Sequence, residues 1–135
     1  MSGAFVAGLD AGMIYNTFPK MADRWIPSDI WNTMLGWKNV FENPTTVQFN
    51  HRVLAMTTYS SIVMLWFWSR RLPLTPQMRM GMNALMGVGT AQVLLGIGTL
   101  IYVVPMHMAA THQGGSLTLL STAIWMMHLL RRVPK

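Results

Sequence analysis

The sequence predicts an all-α membrane protein: a helical bundle of three full transmembrane spans preceded by the end of a truncated one. Three observations predict it. Of the 135 residues, 52% are hydrophobic and only 10% are charged, whereas soluble domains carry about 25% charged residues. The mean hydropathy is positive. Beyond residue 44 the chain also divides into three segments long enough to cross a bilayer, for which about 20 apolar residues suffice.

The elements follow in order. Residues 1–15 are apolar but too short to cross, and Asp10 interrupts them. They lack the basic start of a signal peptide. They read as the end of a span whose beginning is missing, with an interfacial segment as the alternative. Residues 16–44 form an outer-side loop. Within it, "IPSDIWNTMLGW" has a capping Ser28, Asp29 in the first turn and Gly36 near the stop. Ile30, Trp31, Met34 and Leu35 would share one face of a short interfacial helix. With Trp25 and Trp37 it forms either a lid over a site or an aromatic belt.

Three spans follow, at 45–69, 80–104 and 105–130. They are separated by an inner-side turn at 70–79 and closed by a basic tail at 131–135. In the middle span Ala84, Ala91 and Gly98 recur every seven residues, with Gly87 beside them, a small-residue face suited to close helix contact.

The charges orient the bundle. Arg70, Arg71 and Arg79 flank one turn, and Arg131, Arg132 and Lys135 end the chain. Two crossings separate these clusters, so they share a side. All four acids (Asp10, Asp23, Asp29, Glu42) fall on the other side, among Lys20, Arg24 and Lys38. The positive-inside rule places the all-basic side in the cytoplasm or the mitochondrial matrix. The net charge of +6 therefore speaks of topology, and no aromatic–basic interleaving suggests a nucleic-acid partner. The absence of cysteine excludes disulfides and thiolate metal sites. The fourteen methionines read as flexible packing.

One pair of residues stands out. His51 lies seven residues after Pro44 and nineteen before Arg70; His112 lies seven after Pro105 and nineteen before Arg131. The two segments run the same way through the membrane, so the imidazoles sit at one depth, about two turns in from the outer edge. Two imidazoles facing each other from parallel helices suit a haem iron with two axial histidines. Zinc or copper would need further ligands, and no Asp, Glu or Cys lies at that depth. Ala55 and Ser116, one turn along, and Gly114 and Gly115 leave room for a flat macrocycle. Arg52 pairs with a haem propionate or snorkels to the interface. Gln92 and Gln113 read as interhelical hydrogen-bond formers. His107 and His128 lack a partner at their levels and carry no role.

At these residues the chain resembles a known family. "GAFVAGLDAGMIYNTFPKM", "RWIPSDI", "FENPTTVQFNHRVLA", "AQVLLGIGTLIYVVP" and "AATHQGGSLTLLS" are similar to the C-terminal half of haem A synthase in its mitochondrial and proteobacterial form. The resemblance covers nearly the whole chain. It implies half of an eight-helix protein built from two pseudo-symmetric four-helix bundles. It implies oxidation of the C8 methyl of haem O to the formyl of haem A for cytochrome c oxidase. It implies haem b as cofactor, with His51 and His112 as axial ligands. It also places the substrate site and an essential glutamate in the N-terminal half; Glu42, in the loop, does not match that glutamate.

The partners implied are membrane lipid, haem O through an N-terminal half, haem O synthase, a ferredoxin-type electron donor and a second copy of the chain. The location implied is the mitochondrial inner membrane, with the bacterial plasma membrane as alternative. A fragment of this kind is expected to be inactive alone. A non-catalytic bis-histidine b-type cytochrome, serving electron transfer or haem handling, is the other reading.

Overall fold

The computed structural model describes residues 2–131, and all regular structure among them is helical. A short helix α1 (Ser2–Gly8) leads through a 3-10 turn at Ala11–Met13 into the loop. A second 3-10 turn at Gly36–Lys38 runs into α2 (Asn39–Glu42). Three 26-residue helices complete the chain: α3 (Pro44–Ser69), α4 (Pro76–Ile101) and α5 (Met106–Arg131). Helix α4 lies between α3 and α5 and packs on both, while α1 and α2 lean on α3.

The helix starts are written in the sequence. Asn43 caps α3 by accepting from the Thr45 amide at 3.0 Å, with Pro44 in the first turn. Thr75 caps α4 by accepting from the Met78 amide at 3.3 Å, with Pro76 in the first turn. Helix α4 therefore starts four residues before the expected 80, and Arg79 belongs to its first turn. It stops at Ile101 rather than 104 because Val103 and Val104 both take positive φ, 59° and 55°, and break the helix before Pro105. The corner is held by Asn16, whose amide donates to the carbonyls of Gly12 at 2.8 Å and Leu100 at 3.0 Å. Of the expected basic tail, Arg131 ends α5; Arg132 and Lys135 lie outside the described residues.

The interfacial helix expected from Ser28 to Gly36 does not form there. That stretch is a series of turns, and helix begins only at Gly36. The reason is competition for backbone groups. Asn39, fully buried, donates to the carbonyls of Asn32 and Gly36, each at 2.7 Å, and accepts from the Asn32 amide at 2.8 Å. Asn43 donates to the carbonyl of Asp29 at 3.2 Å, and Thr46 donates to that of Ile30. The carbonyls and amide that a helix would use are already engaged.

A small apolar core at the inner end joins Met78, Met82 and Met126 to Trp66, Leu74 and Leu129. Arg70 lies over the Trp66 ring, 4.1 Å from its centroid, and donates to Asn83 at 3.1 Å. Among the described residues α4 alone is both long and apolar enough to cross a membrane. Helices α3 and α5 have the same length, about 39 Å, but carry more hydroxyl, amide and imidazole groups.

Candidate haem site

The site is built at the outer end of the three long helices. His51, in the second turn of α3, and His112, in the second turn of α5, meet with ring centroids 6.4 Å apart and planes at 86°. Each ring is seated against a glycine. A Cβ at Gly96 on α4 would stand 2.8 Å from Cε1 of His112, closer than real contacts allow, whereas a Cβ at Gly3 on α1 would stand 3.5 Å from Cε1 of His51. Gln92, one turn before Gly96, donates to the His112 carbonyl at 2.7 Å. Its Oε1 occupies the space that a Cβ on Gly115 would need.

The polar partners of the two rings differ. Nδ1 of His51 lies 3.0 Å from Oγ of Ser2, while Nδ1 of His112 is buried without a partner.

The separation of the two rings can be set against that of two imidazoles on one metal ion. Metal–imidazole bonds of about 2.0–2.1 Å on both sides of one ion would put the ring centroids about 6.3 Å apart, close to the separation found. Among the described residues no group of three or more His, Asp or Glu gathers as a zinc or copper site would require. A macrocyclic iron brings four ligands of its own and asks the protein for only two.

Other expected residues are placed as follows. Arg52 directs its guanidinium to the loop: Nη1 donates to the carbonyls of Thr17 at 2.8 Å and Lys20 at 3.3 Å, and Nη2 to that of Tyr15 at 2.8 Å. Its Nε is buried without a partner. Gln48, buried one turn earlier, also donates to Tyr15, at 2.9 Å. Ala55 and Ser116, each one turn beyond its histidine, are exposed, and so are His107 and His128. Gln92 makes the interhelical bond expected of it, whereas Gln113 is exposed.

The tightest glycine contacts of α4 belong to Gly81, Gly96 and Gly98, followed by Gly89; Gly98 is thus in close contact as expected, against Met108, whereas Gly87 has open space beside it. Sequence reasoning missed Gly96, Ser2 and Gly3. The seven-residue step from Gly89 to Gly96 was the available signal for the first. Nothing in the sequence pointed to the other two.

A nearby polar cluster anchors the loop. Asp29 accepts from the hydroxyls of Tyr15 and Thr45, both at 2.7 Å. Partial burial pushes its carboxyl up, but these hydrogen bonds outweigh it and hold the group below its ordinary range.

The chain is similar to known proteins along nearly its whole length. The model of a family described as cytochrome oxidase assembly protein, COX15-CtaA, matches residues 1–124. The chain is 56% identical over 135 residues to mouse heme A synthase COX15, covering all of this chain and 33% of that protein. It is 43% identical over 132 residues to the heme A synthase of Nitrosospira multiformis, covering 98% of this chain and 37% of that one. A heme A synthase–mitochondrial ferredoxin fusion protein of Schizosaccharomyces pombe is 46% identical over 138 residues, covering 92% of this chain and 22% of the fusion. The chain thus spans about a third of the length of the curated relatives it matches. No solved structure matches it.

Proposed function

Since the chain belongs to the COX15-CtaA family of cytochrome oxidase assembly proteins, we propose that it is the cofactor-haem-binding part of a haem A synthase. The observation that carries this reading is the approach of the His51 and His112 rings to 6.4 Å from two helices that both pack on α4. On this reading the longer protein oxidises the C8 methyl of haem O to the formyl of haem A. His51 and His112 would hold haem b, which would supply a one-electron redox centre.

The chain's own residues do the rest. Gly96 and Gly3 let the rings lie against α4 and α1, and Gln92 fixes the turn of α5 that carries His112. Arg52 and Gln48 tie the outer loop down over the same end. No carboxylate lies within α3, α4 or α5, which supports placing the acid–base group that methyl oxidation needs outside these helices.

All three long helices are proposed as spans, with the Arg70–Arg79 end on the matrix or cytoplasmic side. Their hydroxyls support this. Thr57 and Ser61 on α3, and Thr111, Thr118 and Thr122 on α5, donate to carbonyls of their own helix, which satisfies polar side chains in hydrocarbon. The mitochondrial inner membrane is the proposed location, with a bacterial plasma membrane as the alternative. The S. pombe fusion supports a ferredoxin-type electron donor.

The test is spectroscopic. The purified chain titrated with haem b should give a low-spin b-type spectrum. His51→Ala or His112→Ala should each abolish it, and His107→Ala and His128→Ala should leave it. A wild-type spectrum in either of the first two variants would sink the reading. The carboxylate-free spans also suit a non-catalytic cytochrome. Co-expression with an N-terminal half in cells lacking the native enzyme separates the two, since only the synthase reading gives haem A there.

A further inference from the structure

The two imidazoles of the pair are not equivalent in their surroundings. A histidine that ligates iron through Nε2 must keep that nitrogen's lone pair, so its ring proton sits on Nδ1. A buried Nδ1–H without an acceptor costs the desolvation of that group. His51 has such an acceptor: Ser2 Oγ lies 3.0 Å from its Nδ1. It comes from α1, a separate helix that lies against α3 at this level, close enough for a Cβ on Gly3 to touch the imidazole. His112 has no such acceptor, and its Nδ1 is buried and unpartnered.

We propose that Ser2 is a positioning residue for the haem iron: its hydroxyl accepts the Nδ1 proton of His51, holds the ring with Nε2 free to ligate, and makes His51 the more electron-donating axial ligand. This rests on the bis-histidine reading above. A hydrogen bond from Nδ1–H raises the basicity of the ligating nitrogen. A more basic ligand favours ferric over ferrous iron, so the Ser2 contact lowers the midpoint potential. Outer partners of this kind typically change metal affinity by about 10–100-fold.

The experiment compares Ser2→Thr with Ser2→Val in the whole chain. The two variants have nearly the same shape and differ in the hydroxyl. Each is titrated with haem b and then poised in a spectroelectrochemical cell. Ser2→Thr should match wild type in both affinity and potential. Ser2→Val should keep a low-spin b-type spectrum, bind haem about tenfold more weakly and show a more positive midpoint potential. Equal potentials in the two variants would overturn the role of Ser2 while leaving the histidine pair intact. A shift shared by both variants relative to wild type would mark a packing effect and overturn it as well. Failure of the wild-type chain to bind haem at all would instead bring down the bis-histidine reading.

Discussion

His51 and His112 occupy the same position in their helices, each seven residues after a proline and nineteen before an arginine, yet the protein holds them by different means. Around His51 the supports are side chains. Ser2 meets the ring, while Gln48 and Arg52 on the neighbouring turns reach the loop carbonyls of Tyr15, Thr17 and Lys20. Around His112 the ring's support is the lack of a side chain. The imidazole lies on the bare backbone of Gly96, and the one polar contact, from Gln92, goes to the main chain rather than to the ring. One imidazole is held by hydrogen bonds and the other by shape. The two halves of a symmetric-looking site should therefore fail in different ways.

The largest expected effect breaks the shape-held side. Gly96→Ala places a methyl 2.8 Å from Cε1 of His112 and 3.2 Å from its Nε2. The ring or the helix must give way, at a cost of roughly 1–3 kcal/mol, and haem b affinity should fall by more than tenfold. Gly3→Ala adds the same methyl beside His51 at 3.5 Å, an ordinary contact, and should change affinity less than threefold. Haem titration of the two variants checks the contrast. Equal losses would mean that shape supports both rings alike.

The next effect addresses the polar side. Arg52→Gln removes the donors to the three loop carbonyls; hydrogen bonds from charged groups contribute about 1.5–3 kcal/mol each when well buried, and less at this half-buried position. The loop should loosen while the haem spectrum remains. Limited trypsin digestion should then cut after Lys20 and Arg24 several-fold faster than in wild type. If haem binding is lost and the cleavage rate stays unchanged, Arg52 acts on a propionate, as its place beside His51 suggests in the sequence.

These contrasts mark what the sequence could reveal. The depth match of the histidines was legible because it depends on counting from Pro44 and Pro105, and both helix starts obey local rules. The all-helical architecture followed from composition. The partners of the rings were not legible, since Ser2 is 49 residues from His51 and Gln92 is 20 from His112. No periodicity records such contacts. The loop went astray for a related reason. Ser28 and Asp29 are good helix-start residues, but Asn39, Asn43 and Thr46, ten or more residues away, capture the backbone groups a helix at 28–36 would use. Long-range side-chain capture overrode local propensity. On α4 the small-residue pattern was visible, yet which glycines meet a neighbour depends on the rotation of the helix, and that is set by packing on α3 and α5.

The smallest expected effect tests whether the polar wiring around His51 extends outward to Asp29. The Tyr15 and Thr45 hydroxyls, donating to its two oxygens, stabilise the ionised carboxylate and hold its titration below the ordinary value of 3.8. A carboxyl whose folded value is depressed contributes stability that is fully present above its unfolded value and is lost as pH falls through the folded one. Tyr15 also carries the carbonyl that Gln48 and Arg52 both grip. Protonation of Asp29 should therefore slacken the loop without touching the ring of His112. Acidification below pH 3.8 should change the fluorescence of the exposed Trp25 and Trp31 before the haem spectrum alters. Asp29→Asn, which cannot ionise, should flatten that fluorescence transition. A transition of the same size and midpoint in Asp29→Asn would assign it to another acid and confine the hydrogen-bonded side of the site to Ser2, Gln48 and Arg52.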